Sequence, residues 1–188
     1  MRTEDIAFLG PMKVGKSTIA KNIAVKVDRD VISMDKLREK YFPQLGLNER
    51  DYNRHKSTMS ELEFFEFCLR YEKAFLTIAL EEYENCIFNF GGGNFINFDQ
   101  RDSVLLHGVK SMNSFLLLPY EDITDSLMFL NRRYFIQTEG ERSFSLAEIE
   151  INKRIIEYHL ENSIAKFTLF VGEKSEAEIM DEVLSLIE

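Results

Sequence analysis

Ile6-Ala7-Phe8-Leu9-Gly10-Pro11-Met12-Lys13-Val14-Gly15-Lys16-Ser17-Thr18 carries an apolar run into a glycine turn, a lysine and the start of a helical pattern. From Gly10 to Thr18 the chain fits G-x-x-x-x-G-K-[ST] at every fixed position. Gly10 and Gly15 let the backbone curl, so that N–H groups of the loop, including those at Lys13, Val14 and Gly15, point inward. Together with a helix N-terminus they form a cradle for phosphate. Lys16 brings a point charge to the β and γ phosphates, and the hydroxyl of Ser17 is placed to ligate Mg²⁺, with Thr18 beside it. A chance glycine turn before a helix is the competing reading. The complete match and the strand–loop–helix context weigh against it.

Outward from this loop, apolar runs alternate with stretches of helical period. Runs at Ile6 to Leu9, Val31 to Met34, Cys86 to Phe90, Ser114 to Leu118 and Phe167 to Val171 read as five buried strands. Ile19, Ile23, Ala24 and Val27 share a helix face. Leu62 to Leu80 predicts a longer helix from about Ser60 to Glu84, with Ser60 and Glu63 as a capping box. Further helices are marked by Ile123, Leu127 and Leu130, by Ile149 to Ile164, and by Ile179 to Ile187. This alternation predicts an α/β fold with a parallel sheet and helices on both faces. In such folds ligands sit beyond the carboxyl ends of the strands. Pro43 to Thr58 and Tyr134 to Ser145 break the alternation and read as mobile excursions of the kind that act as lids.

The 188 residues fit a single domain, and the formal net charge of −9 argues against a nucleic-acid partner. Met1 to Asp5 show no signal-peptide pattern, and no run is long enough to span a membrane. The expected protein is a cytoplasmic monomer. Cys68 and Cys86 read as buried free thiols, and His55, His107 and His159 lack metal spacing and read as surface or loop residues.

Candidate site residues follow the strand ends. Asp35 sits just past the second run and either enters the cleft or merely caps the next helix. Gly91-Gly92-Gly93 leaves backbone bare for close approach of a ligand, or simply turns the chain. Arg70, Arg132, Arg133 and Arg154 are possible partners for carboxylate or phosphate. Arg70 alternatively pairs with Glu66 on its helix surface, and Arg154 sits near Glu150 and Glu157. Phe95 and Phe98 are equally consistent with core and with the border of a ligand site.

With these residues in order, the chain resembles the shikimate kinase family. The phosphate loop, Asp35, Arg70, Gly91 to Gly93, and Arg154 with Tyr158 as R-x-x-x-Y follow that family's sequence of motifs. The resemblance implies a three-layer P-loop kinase fold with a five-stranded parallel sheet and a lid. It implies a substrate-binding insertion at about residues 36–84 and the lid at about residues 132–146. It also implies transfer of the γ-phosphoryl group of ATP, with Mg²⁺, to a ring hydroxyl of shikimate. Asp35 would hold that hydroxyl, Arg70 and Arg154 the substrate carboxylate, and Gly92 would add a backbone contact. Arg132 or Arg133 would neutralise the migrating phosphoryl. Three features depart from the family. Ser33 replaces the first Asp of its D-x-D, the lid lacks proline, and the segment between Asp35 and Arg70 is longer. The alternatives are a kinase of the same fold acting on a gluconate-like acid or a nucleoside, and a nucleotide-dependent switch.

Overall fold

Strand β1, Ile6–Leu9, is buried at all four positions and lies in the middle of the sheet, as a run of apolar residues without alternation should. The computed structural model describes residues 4–96, 98, 102–162 and 164–187. Met1 to Thr3, part of the segment read for a signal peptide, lie outside the described residues. The other strands are β2 (Val31–Ser33), β3 (Ile87–Asn89), β4 (Asn113–Leu118) and β5 (Phe167–Phe170). All pair in parallel, in the order β2-β3-β1-β4-β5. The five strands match the five apolar runs to within a residue at each end. Phe8, Phe115 and Phe167 stack across three adjacent strands, with centroids 5.7 and 5.2 Å apart.

Eight helices are found among the described residues: α1 (Lys16–Val27), α2 (Met34–Tyr41), α3 (Glu49–Thr58), α4 (Glu61–Glu82), α5 (Ser103–Ser111), α6 (Ile123–Gln137), α7 (Leu146–Asn162) and α8 (Glu176–Ile187). The capping box that opens α4 is formed: Glu63 N–H donates to the Ser60 hydroxyl, and Ser60 N–H donates to the Glu63 carboxylate at 2.8 Å. Helix α1 packs on α8, while α4 packs on α7 and α7 on α6. No described helix is long and apolar enough to cross a membrane.

Two elements correct the sequence reading. Pro43 to Thr58 is not only an excursion, because α3 occupies its second half. That helix buries no residue and so has no apolar stripe to betray it. Its signal is the cap: Asn48 Oδ1 accepts from Asp51 N–H at 3.0 Å. Helix α5, in the β3-to-β4 crossover, was not anticipated.

The stretch expected to act as a lid is folded into a corner. Helix α6 runs through Gln137, and Glu139 and Gly140 turn with positive φ. Phe144 then stacks on Tyr134 at 5.1 Å, and Phe144 N–H donates to Asn131 Oδ1 at 2.8 Å.

Candidate active site

The phosphate loop closes around its own lysine. Gly15 sits at φ 112° as the N-cap of α1, a conformation that L side chains rarely adopt. Lys16 Nζ donates to the carbonyls of Gly10 and Pro11 at 2.8 and 2.7 Å. Its side chain is almost fully buried, and burial lowers its pKa to about 8, against the pull of Asp35. The loop is also tied from outside: Met12 N–H donates to the side-chain oxygen of fully buried Asn152 on α7, at 2.8 Å.

A cleft of about 340 Å³ lies over the loop, lined by Lys13, Gly15, Lys16, Ser17, Thr18, Asn89, Arg133 and Asp35 among others. Asn89, at the end of β3, donates to the Ser17 hydroxyl at 3.0 Å while its own oxygen lacks a partner. Arg133 of α6 lies against the loop: its Nη1 donates to the Val14 carbonyl at 3.2 Å. Arg132 instead lines a separate cavity with Tyr120, Phe129 and Glu173. Adjacent helix residues point about 100° apart, so the pair divides between two cavities.

Asp35 does not cap α2. Ser33 holds the N-cap position, and Asp35 falls in the first turn. Its carboxylate lies against Gly91, where a Cβ would collide with Oδ1. It also accepts from Arg38 Nη1 at 2.6 Å, and Arg38 Nε donates to buried Glu72 at 2.7 Å. Asn94 Nδ2 completes the chain, donating to the other Glu72 oxygen at 2.6 Å. Burial pushes Glu72 upward, while Arg38 and Asn94 pull it back toward its ionised form. Burial works against the Arg38 charge, but Glu72 and Asp35 more than offset that, so its pKa is raised.

A second cavity, about 230 Å³, opens on the other side of Asp35. It is walled by Phe42, Tyr52, Phe64, Phe65, Leu69 and Ile155, with Gly92 and Gly93 at its floor. The two cavities share Met12, Asp35 and Gly92.

Two predicted substrate residues are not brought there. Arg70 is exposed on α4, its guanidinium 5.8 Å from the Phe67 ring. Cys68 and Glu72 of the same helix face the cavity, and a residue midway between them faces away. Arg154 donates to Glu66 at 2.9 Å across the α4–α7 seam and is absent from the cavity lining. Tyr158 is structural: its hydroxyl donates to the Phe98 carbonyl at 2.8 Å. Phe95 and Phe98 are core residues that meet edge to face at 5.4 Å.

Sequence reasoning missed Arg38, Glu72, Asn94 and Asn152. Glu72 was the most legible, as a carboxylate on the same helix face as Leu69, Phe75 and Leu76. Arg38 stands one turn after Asp35, the spacing of a helical ion pair.

A parallel α/β sheet with a phosphate loop at its central strand, and a carboxylate facing that loop across the cleft, defines a P-loop kinase. Residues 12–188 match the shikimate kinase family. The chain belongs to the shikimate kinase family and is an ATP-dependent small-molecule kinase. Among solved structures it is similar to shikimate kinase from Acinetobacter baumannii in complex with shikimate, at 15% identity, TM-score 0.61, covering 98% of this chain and 93% of that one. Shikimate kinase from Bacteroides thetaiotaomicron is 20% identical, with TM-score 0.55 and 97% and 95% covered. A gluconokinase from Sinorhizobium meliloti 1021 is 14% identical, with TM-score 0.61 and 97% and 90% covered. At these identities the structures establish the shared fold. No curated protein matches the chain.

Proposed function

We propose that the chain moves the γ-phosphoryl group of ATP onto a hydroxyl of a small molecule held in the cavity beside Asp35. The observation that carries this reading is Asp35 itself, which stands where the phosphate cleft and the apolar cavity meet. The loop N–H groups and Lys16 hold the triphosphate. The acceptor hydroxyl oxygen bonds to the γ-phosphorus as the bond from that phosphorus to the β-bridging oxygen breaks. The hydroxyl proton passes to the Asp35 carboxylate. Arg133, already against the loop, supplies positive charge where the equatorial phosphoryl oxygens gather negative charge. The segment around residues 132–146 serves as the lid that carries it.

Mg²⁺ fits the polar group at the mouth of the cleft. The Ser17 hydroxyl is exposed there and held by Asn89, whose unpartnered buried oxygen can receive a bond from metal-bound water. No group of three His, Cys, Asp or Glu able to hold a metal ion occurs among the described residues, so ATP phosphates and water would complete the ligand set. When bound, the ion neutralises charge on the β and γ oxygens.

Shikimate is the acceptor suggested by family membership, and a gluconate-like acid is the runner-up on the likeness to a gluconokinase. Both readings lean on cations for a carboxylate, and Arg70 and Arg154 do not line the cavity. An ADP-release assay with shikimate added or withheld tests the first directly. Shikimate-dependent ADP release supports it. ATP binding without such release removes shikimate and leaves the kinase.

A further inference from the structure

The acceptor cavity has the wrong charge for an acid. One cation, Arg38, and three carboxylates, Asp35, Glu61 and Glu72, line it among the described residues. Arg38 is already engaged by two of those carboxylates, at 2.6 and 2.7 Å. Its Nε and Nη1 are bound to the wall of the cavity by these contacts, and two carboxylates already answer its single charge. A substrate carboxylate entering here meets net negative charge. It would lose its hydration without gaining the paired hydrogen bonds that make such burial tolerable.

The rest of the wall is apolar. Phe64 and Tyr52 meet edge to face at 5.1 Å, and Tyr52 packs on Phe42 at 6.5 Å. Phe65 lies against Gly93, and Leu69 and Ile155 stand with them. Such a surface is complementary to the face of a ring or a hydrocarbon body. Asp35 and the backbone of Gly92 stand where this cavity adjoins the phosphate cleft.

We infer that the acceptor is an uncharged alcohol with an apolar or ring face, not a hydroxy acid: its body lies on Phe64, Phe65, Leu69 and Ile155 while its hydroxyl reaches Asp35. This inference rests on the kinase reading of the site and specifies its substrate class. Tight packing and the absence of a competing negative charge select the substrate, and Arg38 fixes the attitude of Asp35 instead of binding the ligand.

The test compares acids with their methyl esters, which differ in charge and keep the hydroxyl. Shikimate and its methyl ester form one pair, and 4-(hydroxymethyl)benzoate and its methyl ester the other. Calorimetry in the presence of ADP and Mg²⁺ gives affinity, and ADP release from ATP gives kcat/KM. The esters are expected to exceed their acids by about tenfold or more, the factor that roughly 1.4 kcal/mol of charge repulsion produces. Acids that bind or react as well as the esters, or esters that show no binding, overturn the inference. Titration with ATP and Mg²⁺ alone separates the two levels: nucleotide that binds while the acids win removes only the substrate class. Absence of nucleotide binding removes the kinase reading beneath it.

Discussion

The Asp35 carboxylate packs directly on the backbone of Gly91, at a spot where even one added methyl group would overlap its Oδ1. The second and third strands therefore end on each other: the second residue after β2 supplies the carboxylate, and the second residue beyond β3 supplies the space for it. Gly91→Ala should push the carboxylate out of line. Because displacement of about 1 Å can cost about 10²-fold, kcat should fall on that scale while ATP binding is retained. Steady-state kinetics with calorimetric ATP titration checks this. Unchanged kcat would mean that Asp35 does not meet the acceptor.

Lys16 ties the reaction to pH. Its pKa is lowered from 10.5 to about 8 by burial, opposed by Asp35. Between those values the unfolded chain holds more protons than the folded one, so the ligand-free protein gains stability from this group as pH rises from about 8 toward 10.5. Triphosphate binding needs the charged form. The ATP–Mg²⁺ dissociation constant should therefore rise above pH 8, by up to about tenfold per pH unit. A flat profile from pH 7 to 9.5 would remove Lys16 as the phosphate cation.

The two adjacent arginines, Arg132 and Arg133, should separate in kinetics. Arg133→Ala is expected to lower kcat by about 10²–10³-fold, the scale for losing one donor to developing charge. Arg132→Ala should alter the KM for ATP and spare kcat, since it lines the neighbouring cavity with Tyr120 and Glu173. The reverse pattern would reassign the pair.

His159 makes the fold acid-sensitive. Against the expected surface or loop position it is buried on α7, its Nδ1 has no partner, and burial followed by the charge of Lys16 lowers its pKa from 6.5 to about 3. Over that interval the unfolded chain binds the extra proton. Stability should fall as pH drops below about 6.5, by up to about 1.4 kcal/mol per unit. Urea unfolding at pH 7 and pH 5 measures the loss, and His159→Gln should reduce it. An equal loss in the variant would place the acid sensitivity elsewhere.

What was legible in the sequence follows from which features are local. The loop from Gly10 to Thr18 and the five strands announce themselves through contiguous residues. Asp35 and Gly91 were found because strand ends are where α/β sites gather, and the structure brings them together. Arg70 was misplaced because its motif spacing says nothing of helix phase. Glu72, not Arg70, shares the face of Cys68 and Leu69. Asn94 and Asn152 act through partners 22 and 140 residues away, which no local pattern encodes, and Arg38, although one turn from Asp35, takes its second partner 34 residues away. Helix α3 was hidden because it buries nothing.

The central claim is that phosphate leaves ATP at the loop and arrives on an alcohol at Asp35. γ-Labelled ATP with Mg²⁺ and a set of uncharged ring alcohols, followed by chromatography of the phosphate esters, tests it most directly. The account predicts label in an acid-stable ester with the wild-type protein and almost none with Asp35→Asn, which still binds ATP. Label that remains in ATP or appears only as inorganic phosphate, or an ester formed equally fast by Asp35→Asn, would contradict it.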